Sequence, residues 1–263
     1  MTKMTNQPND KPMKILVIDV GGSHVKCVST DNKAPVHFES GPKMTPEQMV
    51  KGILGITKGW EFDAISMGYP GVVRRGRIVR EPENLGPCWV GFDFQAAFGL
   101  PVKVINDAAM QALGGYEGGK MLFLGLGTGL GSAFIVDGVI AAMELGHLPY
   151  THGRTYEDYL GEIGREKMGN KKWRGLVKDV VKGFRKALLP DYVVLGGGNV
   201  VHLKRLPPHT RRGDNAFAFL GGFRLWERKD QNAPGKAQVD WTIADEGDWH
   251  EPVTQQAVPG TAN

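Results

Sequence analysis

Three short apolar runs in this chain each end in clustered glycines. Ile15-Leu16-Val17-Ile18 leads to Gly21-Gly22, Met121–Leu126 leads into the stretch Gly125 to Gly131, and Tyr192–Leu195 leads to Gly196-Gly197-Gly198. An apolar run of this length is a buried strand. Glycines gathered at its end leave backbone uncovered, so that amides can come close to a ligand, whereas scattered glycines only make loops. Ligands of open α/β sheets collect at strand carboxyl ends. The chain is therefore read as α/β, with a site assembled from strand ends.

The elements around these runs fall into two similar series. In the first, His24–Ser29, Val36–Glu39 and Ala64–Met67 read as strands, with a helix over Thr45–Thr57 that Thr45 caps and Pro46 opens. A hairpin turns over Arg75-Gly76, and Val102–Ile105 is a further strand. The second series begins with a helix over Ala108–Tyr116 that Asp107 is placed to cap. Strands over Ser132–Val136 and Val139–Ala142 follow, joined by an Asp137-Gly138 turn. Helices come next near Tyr156–Lys167 and Lys171–Leu188, and Asn215–Trp226 closes the series. This order predicts two α/β lobes flanking a cleft, residues 14–105 and 106–226, with the last helix able to pack back on the first lobe. Residues 1–13 read as a disordered leader and 227–263 as a flexible tail, although Trp241 and Trp249 give the tail means of docking.

Composition excludes several classes. The only cysteines are Cys27 and Cys88, too few for a disulfide framework or a cysteine-rich metal site. Absence of a signal-like leader or a long apolar span points to the cytoplasm and away from a membrane. A net charge of +4 suits either an anionic substrate or an ordinary solvated surface.

Five motifs carry candidate chemistry. Asp19-Val20-Gly21-Gly22-Ser23 is either a plain hairpin or a turn whose amides face a phosphate, with Asp19 holding magnesium through water. Gly125-Leu126-Gly127-Thr128-Gly129-Leu130-Gly131 suits a loop pressed against an anion better than a strand, where glycines pack nothing. It lacks the register of a dinucleotide fingerprint. Gly196-Gly197-Gly198-Asn199 offers a flat backbone to an adenosine, or is a glycine-rich turn. Asn106-Asp107 sets an amide beside a carboxylate; Asp107 is then either a helix cap or a base that takes a hydroxyl proton. Glu144-Leu145-Gly146-His147 is either an ion pair or a grip on neighbouring hydroxyls.

In this order the pieces resemble the ROK family of sugar kinases, especially its polyphosphate- and ATP-using glucokinase branch, over about Lys14 to Trp226. The set includes Gly68-x-Pro-Gly71 and Asn84-Leu85 as well as the five motifs. The resemblance implies a two-lobed actin-like ATPase (ribonuclease H-like) sugar kinase fold with a central cleft. It also implies phosphoryl transfer from ATP or polyphosphate to the 6-hydroxyl of a hexose, glucose above all, with magnesium. Asp107 becomes the base. Gly71, Asn84, Asn106, Glu144, His147 and Glu157 become sugar-side residues. Asp19, Gly22, Ser23, Gly127, Thr128, Gly129, Gly197 and Gly198 become the phosphate and nucleotide side. A homodimer is implied, with no nucleic-acid partner. Many family members carry a cysteine-rich zinc motif after the Glu-x-Gly-His element; Leu148–Leu160 has no cysteine, so no zinc site is expected. The short second half leaves less chain for an adenine pocket. Rival readings are a non-catalytic sugar sensor, which predicts a lost base, and a repressor, which needs a DNA-binding domain ahead of the first strand.

Overall fold

The first apolar run forms the centre of a five-stranded sheet. The computed structural model describes residues 12–227 and 241–244. Strand β1 (Ile15–Val20) pairs antiparallel with β2 (His24–Ser29), which pairs with β3 (Val36–Glu39). After α1 (Pro46–Ile56), strand β4 (Ala64–Tyr69) returns parallel to β1. The small hairpin β5 (Val73–Arg74) and β6 (Arg77–Ile78) and the short helix α2 (Phe94–Phe98) precede β7 (Val102–Asn106), parallel to β4. The sheet order is β3-β2-β1-β4-β7. Helix α1 starts where the sequence places it: Thr45 and Gln48 form a reciprocal capping box, and Met49, Val50 and Ile53 are buried.

Helix α3 (Asp107–Gly115) crosses to a second sheet built by the same route. Strands β8 (Lys120–Leu126), β9 (Leu130–Val136) and β10 (Val139–Met143) form an antiparallel meander. The hairpin β11 (Pro149–Thr151) and β12 (Arg154–Thr155) leads to α4 (Tyr156–Leu160) and α5 (Glu162–Leu188). Helix α5 is broken at Gly169, whose φ is 77°, so it is two helices end to end. Strand β13 (Tyr192–Gly196) returns parallel to β8, and β14 (Thr210–Arg212) lies parallel to β13. The order β10-β9-β8-β13-β14 repeats that of the first sheet. Sequence reading missed the β11–β12 hairpin and β14; each spans only two or three residues.

Helix α6 (Ala216–Arg224) packs on α3 and against β1 and β4 of the first sheet, while α3 lies between the two sheets and touches both. Gly114 of α3 and Gly221 of α6 let the helix backbones touch, because a Cβ on either would strike the other's main chain. Ser66 Oγ on β4 donates to the Gly222 carbonyl at 2.6 Å, and Lys103 Nζ on β7 donates to that of Leu225 at 2.7 Å. The last helix of the second half is thus fastened to the first sheet.

One expectation is corrected here. Part of the segment 227–263 is docked: β15 (Thr242–Ile243) adds a strand parallel to the outer edge of β10, while Trp241 and Ile243 pack on the core between the sheets. The apolar content of Trp241-Thr242-Ile243 outweighs its polar surroundings. Residues 1–11, 228–240 and 245–263, Trp249 among them, lie outside the described residues. Among the described residues, no helix is long and apolar enough to cross a membrane.

Candidate active site

Parallel register brings the first acid to the second. Asp19 stands opposite Gly68 on β4, and Gly68 stands opposite Ile105 on β7, two residues before Asp107. Asp107 is not the cap of α3, as the sequence suggested. Asn106 takes that role, its side-chain oxygen accepting from the Ala109 amide at 3.0 Å. Asp107 is the first helical residue, and its Oδ1 accepts the Ala108 amide at 2.8 Å. Burial, the nearby Asp19 and, less strongly, Glu144 push its carboxyl up to about 7. Burial likewise raises Asp19, with Lys26 opposing. Two acids that resist ionising thus share the cleft floor.

Asn106 spends most of its capacity holding the site together. Besides capping α3, it donates from Nδ2 to the Gly71 carbonyl at 3.0 Å, which leaves one N–H for a ligand. Asn84 lies against the first glycine turn: a Cβ on Gly22 would come within 3.0 Å of its side chain. That turn is tied back by Ser40, whose Oγ donates to Gly21 O at 2.6 Å and whose amide donates to Ser23 O at 2.9 Å. The Ser23 side chain is exposed.

The opposite wall carries Glu144, His147 and Glu157. His147 lies with Nδ1 3.6 Å from Glu144 Oε2 and Nε2 3.9 Å from Glu83 Oε1. Ligand atoms of Glu83, His147 and Glu157 fall within 4.8 Å of one another, a spacing that also suits a cation. Burial raises the Glu144 carboxyl, and His147 pulls it back. Sequence reading missed Glu83, although it directly precedes Asn84.

The second glycine stretch is mostly strand. Gly125 pairs with Gly131 across β8 and β9, so the turn proper is Gly127-Thr128-Gly129. Three anchors fix it. Asn199 Nδ2 donates to Gly127 O at 2.8 Å, the Glu162 amide donates to Thr128 O at 3.1 Å, and the Gly127 amide donates to Gly129 O at 3.1 Å. Glu157 Oε2 accepts the Leu130 amide at 3.0 Å. The amides of Thr128 and Gly129 carry no bond among the described residues. Arg165 Nε, 3.0 Å from Asn199 Oδ1, holds the asparagine in turn. Neither Asn199 nor Arg165 was assigned a role from sequence; Asn199's place directly after Gly198 was the available signal.

The third glycine motif abuts the second. Gly197 has φ 81°, and a Cβ there would strike the Leu126 backbone, so only glycine fits. Gly198 beside it is exposed. The three glycine turns thus lie at the ends of β1, β8 and β13, on a cleft whose floor is Asp19 and Asp107.

Known proteins share this fold. The sequence matches the ROK family over residues 15–164. It is 30% identical over 203 residues to the polyphosphate glucokinase of Mycobacterium tuberculosis, covering 69% of this chain and 76% of that protein. It is 30% identical over 146 residues to a glucokinase of Pyrobaculum calidifontis, covering 51% of this chain and 49% of that one. The inorganic polyphosphate/ATP-glucomannokinase of an Arthrobacter species superposes with a TM-score of 0.68 at 24% identity, over 80% of this chain and 96% of that one. A ROK family glucokinase of Streptomyces griseus, solved with glucose and AMPPNP, superposes at 0.65 with 17% identity, over 81% and 98%. With its two topologically matched sheets, their glycine turns and this extent of sequence agreement, the chain belongs to the ROK family and has the actin-like sugar kinase fold.

Proposed function

We propose that the chain is a hexose kinase that moves a phosphoryl group from ATP or polyphosphate to the 6-hydroxyl of a hexose, with glucose the first candidate. The observation that carries this reading is Asp107: a carboxyl pushed up to about 7, at the N-terminus of α3, on the floor of a cleft lined by glycine turns. A base poised near neutral pH takes a hydroxyl proton efficiently as the oxygen attacks phosphorus. Glu144, His147 and Glu157 receive sugar hydroxyls on one wall. Asn84, the Gly71 loop and the remaining N–H of Asn106 meet the sugar from the other.

On the donor side, the amides of Thr128 and Gly129 and those of Gly22 and Ser23 in the first glycine turn spread phosphate charge, the Gly21 amide being held by His24 O at 3.0 Å. Gly197 and Gly198 give flat backbone to a nucleotide. Asp19 fits a magnesium site through water, because burial lifts its carboxyl and a nearby cation, Lys26, opposes that rise. Bound there, magnesium would neutralise charge developing between the phosphates. A homodimeric state and a cytoplasmic setting belong to the same reading and rest on family membership.

The test is a coupled assay of purified protein with glucose, mannose and N-acetylated hexosamines, each offered with ATP and with polyphosphate in the presence of magnesium. Turnover of at least one hexose is expected. No turnover with any pairing, from folded protein, would refute the reading.

A further inference from the structure

We infer that the docked segment 241–244 walls a cavity beside the acceptor residues and, through it, supports sugar binding. The inference rests on the reading of Glu144 and Asn106 as acceptor-side residues. Three observations carry it. First, the segment is fastened by backbone: the Thr242 amide donates to Gly138 O at 2.7 Å and the Ala244 amide to Ile140 O at 2.8 Å. These bonds cover the outer edge of β10 at Val139 and Ile140, which would otherwise stand open at the sheet margin. Second, Trp241 and Ile243 pack on the core shared by the two sheets, so the docking is apolar as well as hydrogen-bonded. Third, Ile243 and Ala244 line a cavity of about 290 Å³ that is walled mainly by the β5–β6 hairpin, β7 and β10 and that reaches Gly71, Asn106 and Glu144 on the acceptor side.

The connection to the site is short. Strand β10 ends at Met143, and the next residue is Glu144. Pairing with β15 anchors the start of the strand that leads to that carboxylate, and Ile243 lines the cavity that Glu144 also lines. A strand that steadies the acceptor residues only when docked is linked to sugar occupancy. Sugar then binds more tightly with the segment docked, and by reciprocity the segment docks more firmly with sugar bound. Ile243 is a positioning residue here: it acts through β10 and touches no reacting atom.

The test uses the full chain. Amide exchange at residues 242 and 244 should slow when glucose is added and stay unchanged when a donor analogue alone is added. Ile243→Asp, which puts a charge into the packed face, should raise the sugar KM about fivefold or more, the lower end of coupling between linked sites. Its donor KM should hold, and Ile243→Val, which keeps the face apolar, should raise the sugar KM far less than the aspartate does. If the aspartate variant does not fold, exchange on the unaltered chain decides. Glucose binding measured by calorimetry with no change in exchange at 242 and 244 would overturn this inference alone. Absence of glucose binding to the full chain would overturn the acceptor reading and this inference with it.

Discussion

Replacing Asp107 with asparagine should abolish turnover while making the protein more stable at alkaline pH. A carboxyl moved from 3.8 to about 7 is held neutral by its surroundings, so the fold disfavours its ionised form. At about 1.4 kcal/mol per tenfold in proton affinity, the full penalty above pH 7 is roughly 4 kcal/mol. Asp107 keeps some surface toward the cleft, and water there screens it, so about half of that is the working figure. The sign follows from proton uptake. Between pH 4 and 7 the folded protein holds the Asp107 proton and the unfolded chain has lost it, so stability falls as pH rises through that window. The asparagine variant has no proton to lose at this position. Its side-chain oxygen can still accept the Ala108 amide, and any cost of its buried NH2 is the same at every pH. The gap between variant and parent in unfolding free energy should therefore widen by about 1 kcal/mol from pH 5 to pH 8, the rest of the penalty being present already at pH 5. Urea unfolding of both proteins across that range reads it directly. Over the same range the parent's kcat/KM should climb with an apparent pKa near 7, and the variant should lose about 10² to 10⁴-fold in kcat. A stability gap that does not change with pH, or a variant that keeps half of parental turnover, would show that Asp107 is neither a buried acid nor the base.

The remaining predictions concern the two substrates. Glu144→Ala and His147→Ala should each raise the sugar KM with little change in donor KM, since removing a hydroxyl's partner costs about 1 kcal/mol or more; stoichiometric zinc in the purified protein would instead assign His147 and its neighbours to a metal. Glu157→Ala should raise both KM values, because its carboxylate also holds the Leu130 amide beside the donor turn; an effect confined to the sugar would deny that link. Transfer from polyphosphate should fall steeply between about 50 and 200 mM salt, as for other dense polyanions, and further when exposed Lys171, Lys178 and Lys182 on α5 are neutralised. Arg174 is left out of that set because its Nε donates to His202 O at 2.6 Å. Robust transfer from ATP with none from polyphosphate would leave this stripe as ordinary surface.

How much of this was legible in the sequence depends on whether a feature is local. The buried strands showed in their apolar runs, and α1 in Thr45 and Pro46, because a capping box is contained within four residues. The break in α5 was also visible, since the two predicted helices left Gly169 between them. The cap of α3 was misread by one position: Asn106 and Asp107 are both good caps, and only the Asn106 bonds to Ala109 and Gly71 decide between them. The glycine stretch 125–131 was read as one loop because glycine disfavours strands in isolation. In the fold, Gly125 and Gly131 face each other across a hairpin whose turn is only 127–129. Glu83 and Arg165 were illegible for a different reason. Their partners are 64 and 34 residues away, His147 and Asn199, and no local pattern announces them.

Those long-range partners change what the site can do. Read from sequence, the sugar residues and the phosphate turn are separate motifs. In the fold, Glu157 touches both: one oxygen accepts the Leu130 amide at 3.0 Å, at the edge of the glycine turn, and the carboxylate lies within 4.8 Å of a His147 ring nitrogen. Asn199 and Glu162 hold the same turn from the third glycine motif and from α5. Under the proposed roles, a hydroxyl that arrives at Glu157 would draw on a group that also shapes the glycine turn, and phosphate on the Thr128 and Gly129 amides would pull on a turn that Glu157 steadies. Transfer to water is the competing reaction in any kinase, and it is suppressed when the donor turn reaches its working geometry only with the acceptor in place. Under that reading a shared carboxylate would supply that dependence without any large motion, because a small displacement at one hydrogen bond would be felt by both ligands.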